Sequence, residues 1–178
     1  MATKKAAGLG EIARSKMFNI DYAKNATKLW EGNLFFADCN VGATSPEAYG
    51  GYYNWGMSEE HTAENSSIYN EGTVTLTGED DTATKLWGAN WRMMTKEELE
   101  KLKGFGSWNS NGLLCESPDY ENNTIFLPAA YSGYGRYWSS TPNAEKDAYH
   151  LLFTVRFSPD ECVQFVSLRG YFFGFSCA

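Results

Sequence analysis

Tyr137-Trp138-Ser139-Ser140-Thr141-Pro142-Asn143, and after it Ala148-Tyr149-His150-Leu151-Leu152-Phe153-Thr154-Val155-Arg156-Phe157, open the last quarter of the chain and decide how it is read. The second segment repeats every two residues, the side-chain period of a strand. Tyr149, Leu151, Phe153 and Val155 share one uniformly apolar face, which reads as a core face on a scaffold that includes Trp138. His150, Leu152, Thr154 and Arg156 share the other. That face mixes an imidazole, an aliphatic, a hydroxyl and a guanidinium, unlike the Lys, Glu and Thr of a face meant only for water. Ser158-Pro159-Asp160 marks a turn, and Cys162 to Leu168 a second strand. Tyr171-Phe172-Phe173-Gly174-Phe175 then crowds rings together, which calls for either a core or a contact surface. In a regular strand Tyr171, Phe173 and Phe175 face one way and Phe172 the other, so Phe172 is the ring expected at the surface.

Upstream, Ile125-Phe126-Leu127-Pro128 reads as a buried strand ended by proline, and residues 104–121, rich in Gly, Ser and Asn, as a loop. Thr95-Lys96-Glu97-Glu98 is a capping box opening a helix over 96–103, with Leu99 and Leu102 on one face and Gly104 as its stop. Asp80-Asp81 can cap a helix from Thr82 to Trp87, with Gly88 just beyond its end. Thr73 to Thr77 reads as a short alternating strand, and residues 57–72 as a polar surface loop. Tyr49 to Gly56 mixes glycines with large rings, as in an irregular stretch that fills a core. Leu34 to Glu47 reads as a strand, a turn and a helical start, with Ser45 as cap and Pro46 in the first position. Residues 1–32, polar and alanine-rich, read as an arm or attachment segment preceding a domain over 33–178. Helices early and strands late predict an α+β fold, with two short helices on small, mostly antiparallel sheets and long irregular loops.

Composition narrows the function. A chain of 178 residues, 43% hydrophobic and 16% aromatic, is globular and long enough to bury a core. A net charge of -7 leaves no basic patch for nucleic acid. No apolar run reaches the length of about eighteen residues needed to span a bilayer, so no membrane insertion is expected. The lysines near the N-terminus are not followed by an apolar stretch, so no signal peptide is expected. Cys39, Cys115, Cys162 and Cys177 are widely spaced, with no CxxC pair, which is wrong for zinc and fits reduced, buried thiols, one disulfide being the alternative. The acidic runs at Glu79-Asp80-Asp81 and Asp119-Tyr120-Glu121 read as solvated loops, so neither a metal nor a cofactor is expected.

Several motifs in order resemble a known family: Asp38-Cys39-Asn40-Val41-Gly42-Ala43-Thr44-Ser45-Pro46-Glu47, Asp81-Thr82-Ala83-Thr84-Lys85-Leu86-Trp87-Gly88 with Asn90-Trp91-Arg92-Met93, Ile125-Phe126-Leu127-Pro128-Ala129-Ala130, Tyr137-Trp138-Ser139-Ser140-Thr141-Pro142-Asn143, and Gly174-Phe175-Ser176. Across residues 34–178 the chain is similar to the formylglycine-generating-enzyme branch of the C-type lectin fold. Relatives in that branch include variable proteins of diversity-generating retroelements, such as phage major tropism determinants. The chain departs from the family at Met94, where proline is usual, at Ala130-Tyr131, and at its close on Cys177-Ala178. It lacks the Glu-Pro-Asn and Trp-Asn-Asp signatures of calcium-dependent sugar binding.

The resemblance implies a ligand-binding protein and not an enzyme. Cys162 and Cys177 sit in motifs unlike the paired copper-binding cysteines of the formylglycine-generating oxidase. In retroelement variable proteins, adenines in a template are randomised and the mutated copy replaces the end of the gene. An asparagine codon then yields most amino acids, but never Lys, Gln, Glu, Met or Trp. The family pattern carried over onto a variable region at about 134–178 predicts displayed residues at His150, Leu152, Thr154, Gly170, Tyr171 and Phe172, all reachable from asparagine; Arg156, Phe157, Ser158, Asp160, Ser167 and Leu168 are reachable too and are expected on the same surface. Glu161 and Gln164 are not reachable and are expected to be fixed. Trp138, Tyr149, Leu151 and Phe153 are the expected scaffold beneath. The implied partner is a protein or cell-surface receptor, met on a virion tail or fibre or on a microbial surface, with homo-oligomers multiplying affinity. A non-variable adhesive or structural domain of the same fold is the alternative.

Overall fold

The computed structural model describes residues 26–60, 74–129, 133–143 and 148–154 (for Trp108 and Thr154, the backbone), with the backbone of three short C-terminal strands at 164–167, 172–173 and 176–177. In chain order the elements are β1 (Ala26–Thr27), β2 (Phe36–Ala37), β3 (Tyr52–Tyr53), a single 3-10 turn (Gly78–Asp80), α1 (Thr82–Trp87), β4 (Arg92–Met93) and α2 (Lys96–Lys103). There follow β5 (Gly106–Asn109), β6 (Gly112–Glu116), β7 (Thr124–Pro128), β8 (Tyr134–Pro142), β9 (Ala148–Thr154), β10 (Gln164–Ser167), β11 (Phe172–Phe173) and β12 (Ser176–Cys177). The class is α+β: two short helices beside small sheets ordered β1-β2-β12-β4, β10-β9-β8-β11-β3 and β5-β6-β7. Pairing is antiparallel throughout except where β11 runs parallel to β8.

Both helices form where their caps predict. Asp81 accepts from the Thr84 amide at 2.9 Å, and α1 ends at Gly88, whose φ of 92° suits glycine. At α2 the Glu98 amide donates to Thr95 Oγ1 at 3.3 Å, and the Thr95 amide donates back to Glu98 Oε2 at 2.8 Å. Arg92 grips the same carboxylate with its two terminal guanidinium nitrogens, at 2.8 and 2.6 Å. Burial alone would raise the Glu98 carboxyl, but these hydrogen bonds and the Arg92 charge outweigh it and hold it below the usual range. Leu99 and Leu102 are fully buried in a core that reaches from Leu29, Trp30 and Phe36 through Leu113, Ile125 and Leu127 to Tyr137, Leu151 and Phe153. The Tyr137 hydroxyl is satisfied inside it, donating to the Pro128 carbonyl at 2.7 Å.

Four expectations are corrected. Residues 1–32 are not all arm: β1 pairs with β2, and Leu29 and Trp30 are buried, so the domain takes in residues 26–32. The Ser45-Pro46 start gives one turn, closed by the Ala48 amide on the Ser45 carbonyl at 3.1 Å, and no helix. Residues 74–77 are not a strand; a single bond from the Leu76 amide to the Ser140 carbonyl, 2.9 Å, ties them down while Val74 stays exposed. Within the stretch 104–121, residues 106–116 are no loop but the β5–β6 hairpin. Its polarity lies in the turn, where Asn109 Oδ1 accepts from the Asn111 and Gly112 amides at 2.8 and 3.0 Å. Early strands are present as well, each two residues long, and three of the four pair with C-terminal strands: β12 lies between β2 and β4, and β11 between β8 and β3. Cys39 and Cys115 are buried thiols outside any disulfide, and burial pushes the Cys115 thiol up to about 12.

Candidate functional site

The site predicted from the sequence centres on β9, which is flanked by β8 and β10. In register, Tyr137 stands opposite Leu151 and Gly135 opposite Phe153. This face is core, as expected: Tyr137, Leu151 and Phe153 are fully buried, with the Tyr137 and Phe153 rings stacked at 5.7 Å. On the other face lie three rows: Trp138 with His150 and Val166, Arg136 with Leu152 and Gln164, and Tyr134 with Thr154. The fixed position expected at Gln164 therefore stands directly across from Leu152.

The two-faced reading fails at the start of β9. His150, expected on a displayed face, has 0% exposure. It meets the edge of the Trp138 ring at 5.5 Å, and Trp138 is itself buried with Trp55, Leu76, Ala83, Met93 and Ala148. The physical reason is that its cross-strand partner Trp138 is packed in with Trp55 and Met93, beside a continuous buried run from Tyr137 to Ser140 where the β8–β9 pairing becomes irregular. Both faces are covered there. The Trp138 indole donates to the Tyr53 carbonyl at 3.2 Å, the Trp55 indole to the Ser139 carbonyl at 2.8 Å, and Ser139 Oγ to the Tyr149 carbonyl at 2.8 Å. Tyr149, expected beneath the site, is only half-buried and carries Lys96 Nζ 4.2 Å from its ring centre. Leu152, expected on the displayed face, is half-buried.

Burial, and secondarily the Arg136 charge, lowers the His150 pKa to about 4. Unfolded, the imidazole titrates near 6.5, so the folded state refuses a proton that the unfolded state accepts. The stability this group contributes is whole above the unfolded value and is lost as pH falls toward about 4. His150→Phe is expected to remove that acid-side slope, read by urea denaturation at a series of pH values; an unchanged slope would place the imidazole in water.

Ser167 lies in β10 opposite Tyr149, and Phe172 lies in β11 opposite Tyr53. Arg156, Phe157, Ser158, Asp160, Leu168, Gly170 and Tyr171 lie outside the described residues. Tyr134, 37% exposed, and the half-buried Arg136 share rows with Thr154 and Leu152 and were missed. Extending the two-residue period from Trp138 back to Tyr134 would have found them. Among the described residues, no group of three or more His, Cys, Asp or Glu is placed to hold a metal, and no helix is long and apolar enough to cross a membrane. No protein-family model, curated protein or solved structure matches the chain.

Proposed function

We propose that the chain is a binding protein that displays diversified residues on a C-type lectin scaffold, for attachment of a virus to its host or for recognition at a microbial surface. The motif resemblance motivates the reading, and one structural observation supports it. The segments 155–163 and 168–171, home to most of the expected variable positions, join strands of one sheet: the first joins the paired strands β9 and β10, the second joins β10 to β11, which pairs with β8 and β3. β9 is anchored by Leu151 and Phe153 in the core, and β11 and β12 are each held between two neighbours. Substitutions between such anchors leave the packed face untouched. Rings among them supply contact area at little entropic cost. The partner is a protein or cell-surface receptor bound reversibly, without catalysis or cofactor, and several copies on one particle raise its avidity.

The burial of His150 favours the second reading, a fixed adhesive domain of the same fold, at that one position. Sequencing the end of this gene across its natural population separates the two. Diversification predicts replacements piled up at residues 152, 154, 156–158, 160, 167–168 and 170–172, with Trp138, Leu151 and Phe153 constant. His150 is then expected to vary only among uncharged side chains, because a carboxylate at 0% exposure has no water to solvate it. Even or silent variation over those codons rejects diversification and leaves the fixed adhesin.

A further inference from the structure

Away from β9, the turn between β5 and β6 brings a reactive pair of residues together. The fold needs glycine at 112: it pairs with Asn109 across the hairpin and with Pro128 of β7, and a Cβ there would run into the Leu127 carbonyl and the Phe126 ring. The residue before it, Asn111, is exposed, and no other asparagine in the chain precedes a glycine. An Asn-Gly pair can react within itself, because no Cβ on the glycine shields its nitrogen. The Gly112 amide nitrogen loses its proton and bonds to the Asn111 side-chain carbonyl carbon, the bond from that carbon to the side-chain nitrogen breaks, and ammonia leaves. Water then opens the cyclic imide to aspartate or isoaspartate. No oxidant, metal or enzyme enters the reaction.

The peptide unit that must react is held at both ends. The Gly112 amide donates to Asn109 Oδ1 at 3.0 Å, and the Asn111 carbonyl oxygen accepts from the Ala129 amide at 2.7 Å. The same Asn109 oxygen takes the Asn111 amide at 2.8 Å, so one side chain closes the turn. Ring closure requires the Gly112 nitrogen to leave that oxygen and reach Asn111 Cγ, which happens only when the turn opens. We propose that Asn111 is a site of spontaneous deamidation gated by the Asn109 side chain, a modification separate from the face on β8 and β9. Either product carries a carboxylate on the turn. Isoaspartate also lengthens the main chain by a methylene at the corner where Asn109 and Gly112 pair, which loosens that end of the hairpin.

Peptide mapping by mass spectrometry of the full chain, incubated at neutral pH, reads the conversion of amide to acid at 111, and labelling by an isoaspartyl methyltransferase reads the isoaspartate. The wild type is expected to convert at Asn111 ahead of its other asparagines, and faster in urea, where the turn is gone. Asn109→Ala should speed conversion in the folded chain about tenfold, the rise in open population that a lost hydrogen bond allows, and leave the rate in urea unchanged. Asn109→Asp keeps an acceptor oxygen for both amides and should restore the slow rate. Equal rates in folded wild type and Asn109→Ala would overturn the gate. Asn111 staying an amide in folded Asn109→Ala while the urea sample converts would overturn the site. Should Asn109→Ala not fold, the wild type decides alone: conversion as fast when folded as in urea means a turn that restrains nothing, and the proposal fails.

Discussion

Gly135→Ala is expected to lower the unfolding free energy by about 1–3 kcal/mol, and Gly135→Val by more. Gly135 stands directly opposite Phe153 in the β8–β9 ladder, and the outer end of the Phe153 ring sits over it, so that any Cβ at 135 would overlap the ring carbons. The ring cannot step aside. It is fully buried, it stacks on Tyr137 with an interplanar angle of 14°, and Tyr137 is pinned by its bond to the Pro128 carbonyl. The cost must then appear as backbone displacement in the strand pair that carries Arg136, Leu152 and the rest of the proposed binding face. Urea denaturation of the single variants checks this. Phe153→Leu in the Gly135→Ala background provides the cycle: a smaller side chain frees the space, so the two changes together should cost less than their sum. Wild-type stability in Gly135→Ala would show that the ring does not rest on the glycine.

The helices were legible because their determinants are local. Asp81, Thr95, Glu98 and Gly88 act within a turn of themselves, and the sequence spells them out. The core face of β9 was legible for the same reason, as Leu151 and Phe153 need only the period of two. What escaped depends on partners far along the chain. β1 to β4 are two residues each, too short to show a period; β2 and β4 pair with β12 and β3 with β11, while β1 leans on β2. The burial of His150 follows from Trp138, Trp55 and Met93 closing over a face that β9 alone presents as open. The β5–β6 hairpin was a failure of a different kind: its two-residue turn is Ser110-Asn111, since Gly112 already pairs with Asn109, so the Asn-Gly signature of a tight hairpin stands one place out of register.

Asp81→Ala is expected to cost about 3 kcal/mol, more than an ordinary helix cap, since its carboxylate serves two elements. One oxygen caps α1 through the Thr84 amide, and the other accepts from the Met93 amide of β4 at 2.8 Å. The side chain has 0% exposure, so alanine leaves two buried donors unsatisfied where no water reaches them. The pH dependence carries an opposite sign from that of His150 and Glu98. Burial raises the Asp81 carboxyl, and the bonds from Thr84, Met93 and Ala83 only partly offset it, so its pKa stays above the ordinary value. The folded state therefore holds this proton more tightly than the unfolded state. Its contribution is whole below the unfolded pKa, near 4, and declines as pH rises through the folded one. The gap in unfolding free energy between the wild type and Asp81→Ala should accordingly narrow from acid toward neutral pH, although it should not close, because the ionised carboxylate still accepts both amides. Because His150 and Glu98 titrate alike in both proteins, the difference curve isolates Asp81. A gap that widens with pH would mean that the amide bonds outweigh desolvation, and that α1 and β4 are joined by the charge itself and not merely by the oxygens that bear it.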